Sequence, residues 1–540
     1  MSRRARGNRI GLLACAASGL LLQHPALSQT SASNALTRTY LPAVEASLST
    51  FNPDPLAVVD TLSYRKHVAG NDGIPVQSVP TQYFRYSFPS ASGTLQVTCP
   101  SQTTMLVGTT NNAGYTWVDS TGTRYLQIAL LTNGTPDTPG QPDVSPTAQT
   151  WYRTSNDGGH TFSNFKQVIA GGAGFTACHP VPGVTIGKNG YQFPGNSLIV
   201  GSNQEQDVLI PLVIIPPLDA NGNPVQPQHS VTSYADVQIL RGHWRSDGSD
   251  IDWEAGQPAQ VTETQSTRGV DETAIVEMAT NGHCAIVSRG SNQAVPSIPS
   301  HYWLFESLDG CRTWVGPGTA LSWDDGSIYY APAAPPFLSK NRNDRILFLG
   351  ANTDANPSGN CPRTRVVAAE LDLKQLKLRK RSAVIVDEKD AYDSNNVDLI
   401  YSNRYYPQSS GAIFYYTRRL DPGTGSSSCS AATESGFPTN WHLLNPFPLP
   451  AKHFAISQDS GVPNQVDWPA QPTVQKFLVY ARNPSEQGFW QLNGEVDAGS
   501  ATSYVLHSLP AGAVEVSVFA QGTDGSLSSS NQITVAITGH

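Results

Sequence analysis

Charged residues are scarce in this chain, and the amphipathic periodicity of helices is hard to find in it. Asp, Glu, Lys and Arg make up only 14% of the 540 residues, and the net charge is −8. A phosphate-binding surface needs an excess of Lys and Arg, so the composition argues against nucleic acid as a partner. The 46 Gly and 40 Pro are typical of many short strands joined by turns, and an all-β fold is predicted.

Metal-site motifs and a membrane-spanning run are also lacking. The sequence contains no CxxC or HExxH pattern, so no metal or other cofactor is expected. The apolar run at residues 10–22 is too short to cross a bilayer. Arginines precede this run, and Ala-Leu-Ser follows it just before Gln29. This is the pattern of a secretory signal peptide at residues 1–28, which predicts a secreted or periplasmic protein without a membrane span.

Seven cysteines are present, and removal of the signal peptide takes Cys15 away. An even number of cysteines in an exported chain favours disulfides. The six that remain allow fifteen pairings, among which the sequence does not choose: Cys99, Cys178, Cys284, Cys311, Cys361 and Cys429.

A short phrase, Ser-x-Asp-x-x-x-Thr followed by an aromatic residue, recurs along the chain. It is complete at 155–162 (SNDGGHTF) and at 307–314 (SLDGCRTW), where Cys311 stands in place of Gly, and degenerate at 110–117 (TNNAGYTW) and 246–253 (SDGSDIDW). Asp and Ser side chains bond the backbone of turns, Gly supplies a positive φ, and the aromatic ring anchors the turn in a core. Repetition at this spacing predicts a radially repeated β-architecture.

These phrases resemble the Asp-box of sialidases and related proteins, the turn between the third and fourth strands of a propeller blade. The resemblance implies a six-bladed β-propeller over residues 61–455, after a leader segment at 29–60. The tail at 473–540 contains strand-like runs separated by Leu-Pro-Ala-Gly and resembles a fibronectin type III or similar β-sandwich. The Pro-rich stretch at 456–472 is interpreted as the linker between the two.

Residues 271–292 (DETAIVEMATNGHCAIVSRGSN) are predicted to form two strands across an Asn-Gly turn. Glu272 opens the first strand and Arg289 ends the second, so both fall at one end of the hairpin. Sialidases have a similar stretch, in which the Glu polarises a nucleophilic Tyr and the Arg belongs to a triad that clamps the substrate carboxylate. The resemblance carries Glu272 and Arg289 into these roles. Glu277 competes with Glu272, but its odd spacing from Glu272 points it to the opposite face.

A later stretch, 360–366 (NCPRTRV), lies where a sialidase would carry a further arginine of the triad. Arg363, directly after Cys-Pro, is preferred. Arg365 is the alternative, because residues two apart in a strand share a face.

The stretch 398–406 (DLIYSNRYY) resembles the segment of sialidases that carries the nucleophile. Tyr401, followed by Ser-Asn, is the candidate nucleophile, and Tyr405 and Tyr406 are its alternatives.

The first triad arginine is matched by residues 84–89 (FRYSFP), which resemble an early Phe-Arg-Ile-Pro motif of sialidases with the proline displaced. Arg85 is the candidate, and Arg65 and Arg124 are alternatives. An acid/base aspartate should follow on a loop. Three candidates are left open: Asp119, Asp137 and Asp143.

These residue types suit a sugar with a carboxylate on its anomeric carbon. An anionic nucleophile would be repelled by that charge, whereas a neutral Tyr activated by Glu is not. Arginine forks hold a carboxylate by charge-assisted bidentate bonds that Lys cannot reproduce. A protonated Asp would then assist the leaving glycan.

The sequence therefore predicts an exported exo-α-sialidase, or a close glycoside hydrolase, that acts on sialylated or other acidic glycans. Two other functional hypotheses remain open. A polysaccharide lyase acting on uronates would also use Arg and Tyr, but without the Glu–Tyr couple. A non-catalytic Asp-box propeller that binds glycans or proteins would tolerate the distorted motif at Arg85.

Overall fold

The computed structural model describes two long parts of the chain and several short ones. The long parts are 148–389, except 194–199, 202–206, 226, 228, 230–233, 279–281 and 341–344, and 455–538, except 460, 472–473, 483–490, 500, 523–526 and 531–532. The short ones are 58–61, 82–85, 95–97, 99, 105–107, 115–118, 123–131, 397–399, 403–408, 411–417, 419–420 and 439–444. Every regular element in these residues is a β-strand, so the all-β prediction is confirmed there. In the same residues no helical segment has the length and hydropathy of a membrane span.

Two antiparallel strand pairs come first along the chain. They are β1 (Val58–Thr61) with β2 (Gln82–Arg85), and β3 (Leu95–Val97) with β4 (Met105–Val107).

Four larger antiparallel sheets follow in sequence order, and each is built mainly of consecutive strands. The first contains β5 (Tyr115–Val118), β6 (Tyr125–Leu131), β7 (Gln149–Ser155) and β8 (Lys166–Gln167). The second contains β9 (Gly190–Gln192), β10 (Val200–Gly201), β11 (Asp207–Ile215), β12 (Asp236–Trp244) and β13 (Ile251–Ala255). The third contains β14 (Asp271–Glu277), β15 (Cys284–Arg289), β16 (Tyr302–Ser307) and β17 (Thr319–Ala320). The fourth contains β18 (Phe337–Lys340), β19 (Ile346–Ala351), β20 (Arg365–Asp372) and β21 (Lys377–Glu388).

Successive sheets of this group pack through buried apolar faces. Each interface has its own cluster, with Tyr152 and Trp244 between the first and second sheets, Val237 and Phe305 between the second and third, and Val276 and Phe348 between the third and fourth. A sheet that buries both faces against like sheets is the radial arrangement of propeller blades. The count of six blades stays a prediction.

The alternation of side chains along β14 shows how one strand serves both interfaces. Ala274 and Val276 join the cluster shared with the fourth sheet, whereas Ile275 joins the cluster shared with the second. This period of two is expected for a strand buried on both sides.

Three Asp-box copies, at 155–162, 246–253 and 307–314, lie between the third and fourth strands of a four-strand run, after β7, β12 and β16. The copy at 110–117 differs, because Trp117 lies in β5, the first strand of its sheet; its residues 110–114 lie outside the described residues.

The two complete copies have the same hydrogen bonds. Asp157 accepts from the Thr161 amide at 2.9 Å and from the Thr161 hydroxyl at 2.6 Å, and Asp309 accepts from Thr313 at the same two distances. Cys311 takes the position of the usual Gly at φ +63°, so the side chain is accepted there despite a left-handed backbone.

The opposite ends of the sheets form what we call the upper face: the start of β14, the end of β15, the end of β19 and the start of β20. The antiparallel register pairs Cys284 with Ser307 and Arg289 with Tyr302, so Arg289 and the Asp-box that begins at Ser307 lie at opposite ends of the third sheet.

Shorter strands follow the fourth sheet. They are β22 (Val397–Asp398), which pairs with β25 (Arg419–Leu420), and β23 (Asn403–Gln408), β24 (Gly411–Thr417) and β26 (Thr439–Leu444) of one sheet.

The C-terminal part contains two sheets around one core. One has β27 (Ser457–Gln458), β28 (Gln465–Asp467) and β31 (Ser503–Val505); the other has β29 (Val474–Arg482), β30 (Gln491–Asp497), β32 (Gly512–Gly522), β33 (Leu527–Ser529) and β34 (Ile533–Ile537). The fibronectin type III class stays a prediction.

The stretch 456–472 differs from the linker interpretation. Ile456, Val466 and Trp468 are buried in the same cluster as Phe477 and Val516. The stretch also carries β27 and β28, so it is part of the C-terminal fold rather than a spacer. Prolines and polar residues suggested a linker, but the isolated apolar side chains between them are core residues.

Disulfides join Cys99 to Cys178 and Cys284 to Cys311, with Cα atoms 5.7 and 5.5 Å apart, and Cys361 is also disulfide-bonded. The second bridge ties the start of β15 to an Asp-box turn of the same sheet. The expectation of disulfides is therefore confirmed for these five cysteines.

Candidate functional site

The hairpin of β14 and β15 brings Glu272 and Arg289 into contact on the upper face. Asp271 is paired with Arg289, and the register shifts between Asp271 and Ala274. Glu272 lies within this shift at φ +36°, a conformation that residues other than Gly rarely adopt. Such irregularities re-aim side chains at strand ends, and here the Glu272 carboxylate contacts Nη1 of Arg289.

Two more charged residues extend this contact. Nε of Arg289 lies 3.5 Å from a carboxylate oxygen of Asp271, and an Nη of Arg268 lies 3.8 Å from the other. The side chains of Arg289 and Glu272 are only 3% and 9% exposed. Buried charges are tolerated when they are paired in this way, so the group is held as an ion network.

Arg363 lies on the upper face just before β20. Its guanidinium donates to the carbonyl of Ala333 and lies 3.4 Å from Asp398. The backbones of Arg363 and Asp398 form a parallel bridge. Arg363 therefore connects the fourth sheet to β22, the strand that follows it.

The buried hydroxyl of Tyr302 is influenced by the charges of Glu272, Arg289 and Arg363. Burial raises the pKa of Tyr302 well above its usual value; the Ala351 amide and the charges of Arg363 and Arg289 oppose this rise, and the charge of Glu272 adds to it. Tyr302 lies at the start of β16 opposite Arg289. Tyr302 therefore lies beside the strand end that carries Arg289, and its pKa depends on the charges of both arginines and of Glu272.

Arg365 uses different contacts from Arg363. It lies 2.6 Å from the side-chain oxygen of Asn352 and 2.7 Å from Asp354. Although the two arginines are two residues apart, the partners described for their guanidinium groups differ.

Glu277 lies at the other end of β14. Its carboxylate is 2.5 Å from Arg241, which also pairs with Asp207 at 2.8 Å. This network connects the third sheet to the second near the Asp-box end, because Arg241 also donates to the carbonyl of Gly310 at 3.2 Å.

The remaining candidates are less fully described. Arg85 lies in β2 with its backbone paired to Val58, and Tyr405 and Tyr406 lie in β23, paired with Phe414 and Ile413. The other candidates lie outside the described residues: Tyr401, Arg65, Asp119, Asp137 and Asp143.

Arg124 lies away from the upper face. Its guanidinium carbon is 5.6 Å from the centre of the Trp244 ring, at the end of β12 that leads into the Asp-box copy at 246–253.

Sequence reasoning missed three charged residues of this site: Arg268, Asp271 and Asp398. Asp271 and Asp398 are the first residues of the stretches 271–292 and 398–406, so their position beside the predicted site residues could have pointed to them. Arg268, three residues before Asp271, carried no motif.

The arrangement offers three arginines and three carboxylates on the upper face. Guanidinium groups fixed by carboxylates can hold a substrate carboxylate through directed hydrogen bonds. Among the residues the structure describes, no cluster of three or more His, Cys, Asp or Glu side chains could hold a metal ion.

Comparisons with known proteins give structural similarity only. No protein family matches the sequence, and no curated protein matches it either. A protein of unknown function from Dyadobacter fermentans is 16% identical, with 62% of this chain and 93% of that chain covered and a TM-score of 0.26. The sialidase of Trypanosoma rangeli is 10% identical (81% and 87% covered, TM-score 0.29), and a GH32 β-fructofuranosidase of Bombyx mori is 8% identical (77% and 83%, TM-score 0.31). With TM-scores this low, these similarities assign neither a fold nor a function to this chain.

Proposed function

We propose that this protein is an exported glycoside hydrolase, an exo-α-sialidase that releases terminal sialic acid with retention of configuration. The observation that carries the proposal is the contact of Glu272 with Arg289, at the end of the third sheet opposite its Asp-box turn. Arg363, just before β20, lies at the upper face of the fourth sheet and is fixed by Asp398.

In this proposal the arginines clamp the carboxylate of the sialic acid. Arg289 and Arg363 are held by Asp271, Glu272 and Asp398, so their side chains lose little freedom on binding. Arg85 is the third arginine that the sequence resemblance suggests. Arg268, which is also on the upper face, is a second candidate for that position.

Tyr401 is proposed as the nucleophile and Glu272 as the group that activates it. A carboxylate has about four acceptor sites, so the contact of Glu272 with Arg289 still allows it to accept the proton of a tyrosine hydroxyl. The tyrosine oxygen would attack the anomeric carbon, and the bond to the leaving glycan would break with protonation by an aspartate. Water, deprotonated by the same aspartate, would then attack the anomeric carbon and break its bond to the tyrosine oxygen, which takes its proton back from Glu272.

The signal peptide and the disulfides favour an oxidising compartment outside the cytoplasm. We propose that the protein is secreted or periplasmic and that its substrates are sialylated or other acidic glycans.

Hydrolysis of a fluorogenic α-sialoside tests this function. The wild-type protein should release the fluorophore, whereas Glu272→Gln and Tyr401→Phe should lose at least roughly 100-fold in kcat. Glu306→Gln is the control, because Glu306 pairs with His283 at 2.7 Å near the Asp-box end. Tyr405→Phe and Tyr406→Phe test the alternative nucleophiles. No release by folded wild-type protein would contradict the proposal.

A second candidate is a non-catalytic propeller that binds acidic glycans. The low exposure of the paired Glu272 and Arg289 side chains, 9% and 3%, favours it, because a carboxylate committed to an arginine can be structural. Sialoside binding without turnover, lost in Arg363→Lys, would support this candidate instead.

A further inference from the structure

A concave site lies on the upper face beside Arg365. It is a cleft of about 430 Å³ lined by Arg365, Asp354, Asn356, Thr364, Glu388 and Lys389, and we call it the Arg365 cleft. Its walls are the segment after β19, the start of β20 and the end of β21. The volume is within the range of small-molecule binding sites.

The charges of the Arg365 cleft are balanced. Its lining contains two cations, Arg365 and Lys389, and two carboxylates, Asp354 and Glu388. Arg365 is buried, with its side chain 4% exposed, and lies 2.7 Å from Asp354 and 3.7 Å from Glu388. Asp354, by contrast, is 51% exposed. A charged ligand would therefore have to compete with the pairs that Arg365 already forms with Asp354 and Glu388, so an extra charge on it would gain little.

A neutral ligand rich in hydroxyl groups fits this lining. Carboxylates accept hydrogen bonds from hydroxyls, while guanidinium, ammonium and amide groups donate to them. The pairing of Asp354 with Arg365 leaves acceptor sites on the carboxylate, since each carboxylate has about four. Ala355, Pro357 and Pro362 add apolar surface against which the C–H face of a sugar ring can pack.

The wall of the cleft is fixed before any ligand binds. The side-chain oxygen of Asn356 accepts from the Ser300 amide at 2.9 Å, and its nitrogen donates to the Ile298 carbonyl at 2.9 Å. Asn292 accepts from the Gly359 amide at 2.8 Å. These bonds fasten the segment between β19 and β20 to the one between β15 and β16, and a preorganised wall lowers the entropic cost of binding.

We propose that the Arg365 cleft binds a neutral sugar unit, with the exposed Asp354 carboxylate accepting hydrogen bonds from its hydroxyls and with Arg365 and Asn356 holding the wall of the cleft in place. This goes beyond the proposed hydrolytic site, because Arg363 contacts Ala333 and Asp398, which do not line the cleft.

Saturation-transfer NMR with the full-length protein tests the cleft, with glucose, galactose, N-acetylglucosamine and lactose as probes. At least one of them should bind. Asp354→Ala removes an exposed acceptor and Thr364→Tyr fills the cleft, and each should weaken binding roughly tenfold or more. Asp252→Ala is the matched control: Asp252 is 63% exposed and pairs with Arg245 at 2.8 Å, outside the cleft.

Two results would overturn the proposal: no binding of any neutral probe to the wild-type protein, or binding by both cleft variants that is as strong as binding by the wild type. None of these binding measurements depends on sialoside turnover. Failure of the cleft and failure of the hydrolytic site are therefore separate outcomes.

Discussion

At the scale of single residues, the contacts of Arg363 and Arg365 separate two arginines that the sequence spacing placed on one face. A strand spacing of two suggested one shared face, but Arg363 pairs with Asp398 and Arg365 with Asp354. The distinction depends on partners 35 and 11 residues away, which a local motif does not contain.

Replacing Arg363 with Lys should weaken sialoside recognition while keeping the charge. Lys offers a point charge instead of a planar fork, and losing a charge-assisted hydrogen bond costs about 1.5–3 kcal/mol. KM for a fluorogenic sialoside should therefore rise by roughly 10- to 150-fold. Arg345→Lys is the control, because Arg345 pairs with Glu370 at 3.0 Å at the other end of the fourth sheet. Equal KM values in the two variants would contradict the assignment of Arg363.

Asp236 should make stability depend on pH. Burial raises the pKa of this carboxyl from 3.8 to about 7, opposed by the hydrogen bond from Gln260. The folded protein therefore keeps a proton that the unfolded chain releases near pH 4, and the free energy of unfolding falls as the pH rises from about 4 to 7.

Asp236→Asn removes this ionisation and keeps an acceptor for Gln260. Relative to wild type, the variant should gain stability between pH 4 and pH 8, by roughly 1–4 kcal/mol. Denaturant midpoints measured across this range provide the test, with the exposed Asp252→Asn as the control. A stability difference that does not change with pH would show that Asp236 ionises normally.

At the scale of elements, the Asp-box turns were the most predictable part of the fold. In the two complete turns the Ser and Asp side chains bond residues two to four apart, so the sequence pattern contains these interactions. The register shift at Glu272 was not predictable in the same way. Nothing in the sequence of residues 271–277 marks this shift, and the contact of Glu272 with Arg289 joins residues of two different strands.

Asp309→Ala should destabilise the protein more than Asp247→Ala. Asp309 accepts from Ser307, Arg312 and Thr313, whereas Asp247, in the degenerate copy, accepts only from Ser249 among the described residues. Asp309 accepts four hydrogen bonds in a partly exposed turn, so the lower half of the usual range, about 0.5–1 kcal/mol each, puts its loss at about 2–4 kcal/mol. Asp247 accepts two and is exposed, so its loss should be smaller. The midpoint of thermal unfolding measures both.

The same comparison has a pH dependence. Burial opposes ionisation of Asp309, but the hydrogen bonds from Thr313 and Ser307 outweigh it and lower its pKa to about 2. The stabilisation is therefore present above pH 4 and is lost as the pH falls through about 2. A larger effect of Asp247→Ala, or none at Asp309, would contradict this account of the turns.

At the scale of the whole molecule, the sequence predicted the class of fold better than the contacts between residues far apart in the chain. Composition and repeated turns lead to an all-β chain, and the hairpin 271–292 was placed correctly as β14 and β15. Disulfide pairing, the ion network around Arg289 and the role of 456–472 depend on residues that meet only in three dimensions. The buried Trp468 shows this well, since its neighbours in sequence are polar or proline, yet it packs 5.1 Å from the ring centre of Phe477.

The most direct test of the whole account is to follow hydrolysis of an α-sialoside by the wild-type protein with proton NMR. A Tyr401–Glu272 mechanism with a covalent intermediate retains configuration. It predicts that α-sialic acid appears first and converts to the β-anomer only later. First appearance of the β-anomer, or no release of sialic acid by the folded protein, would contradict the account.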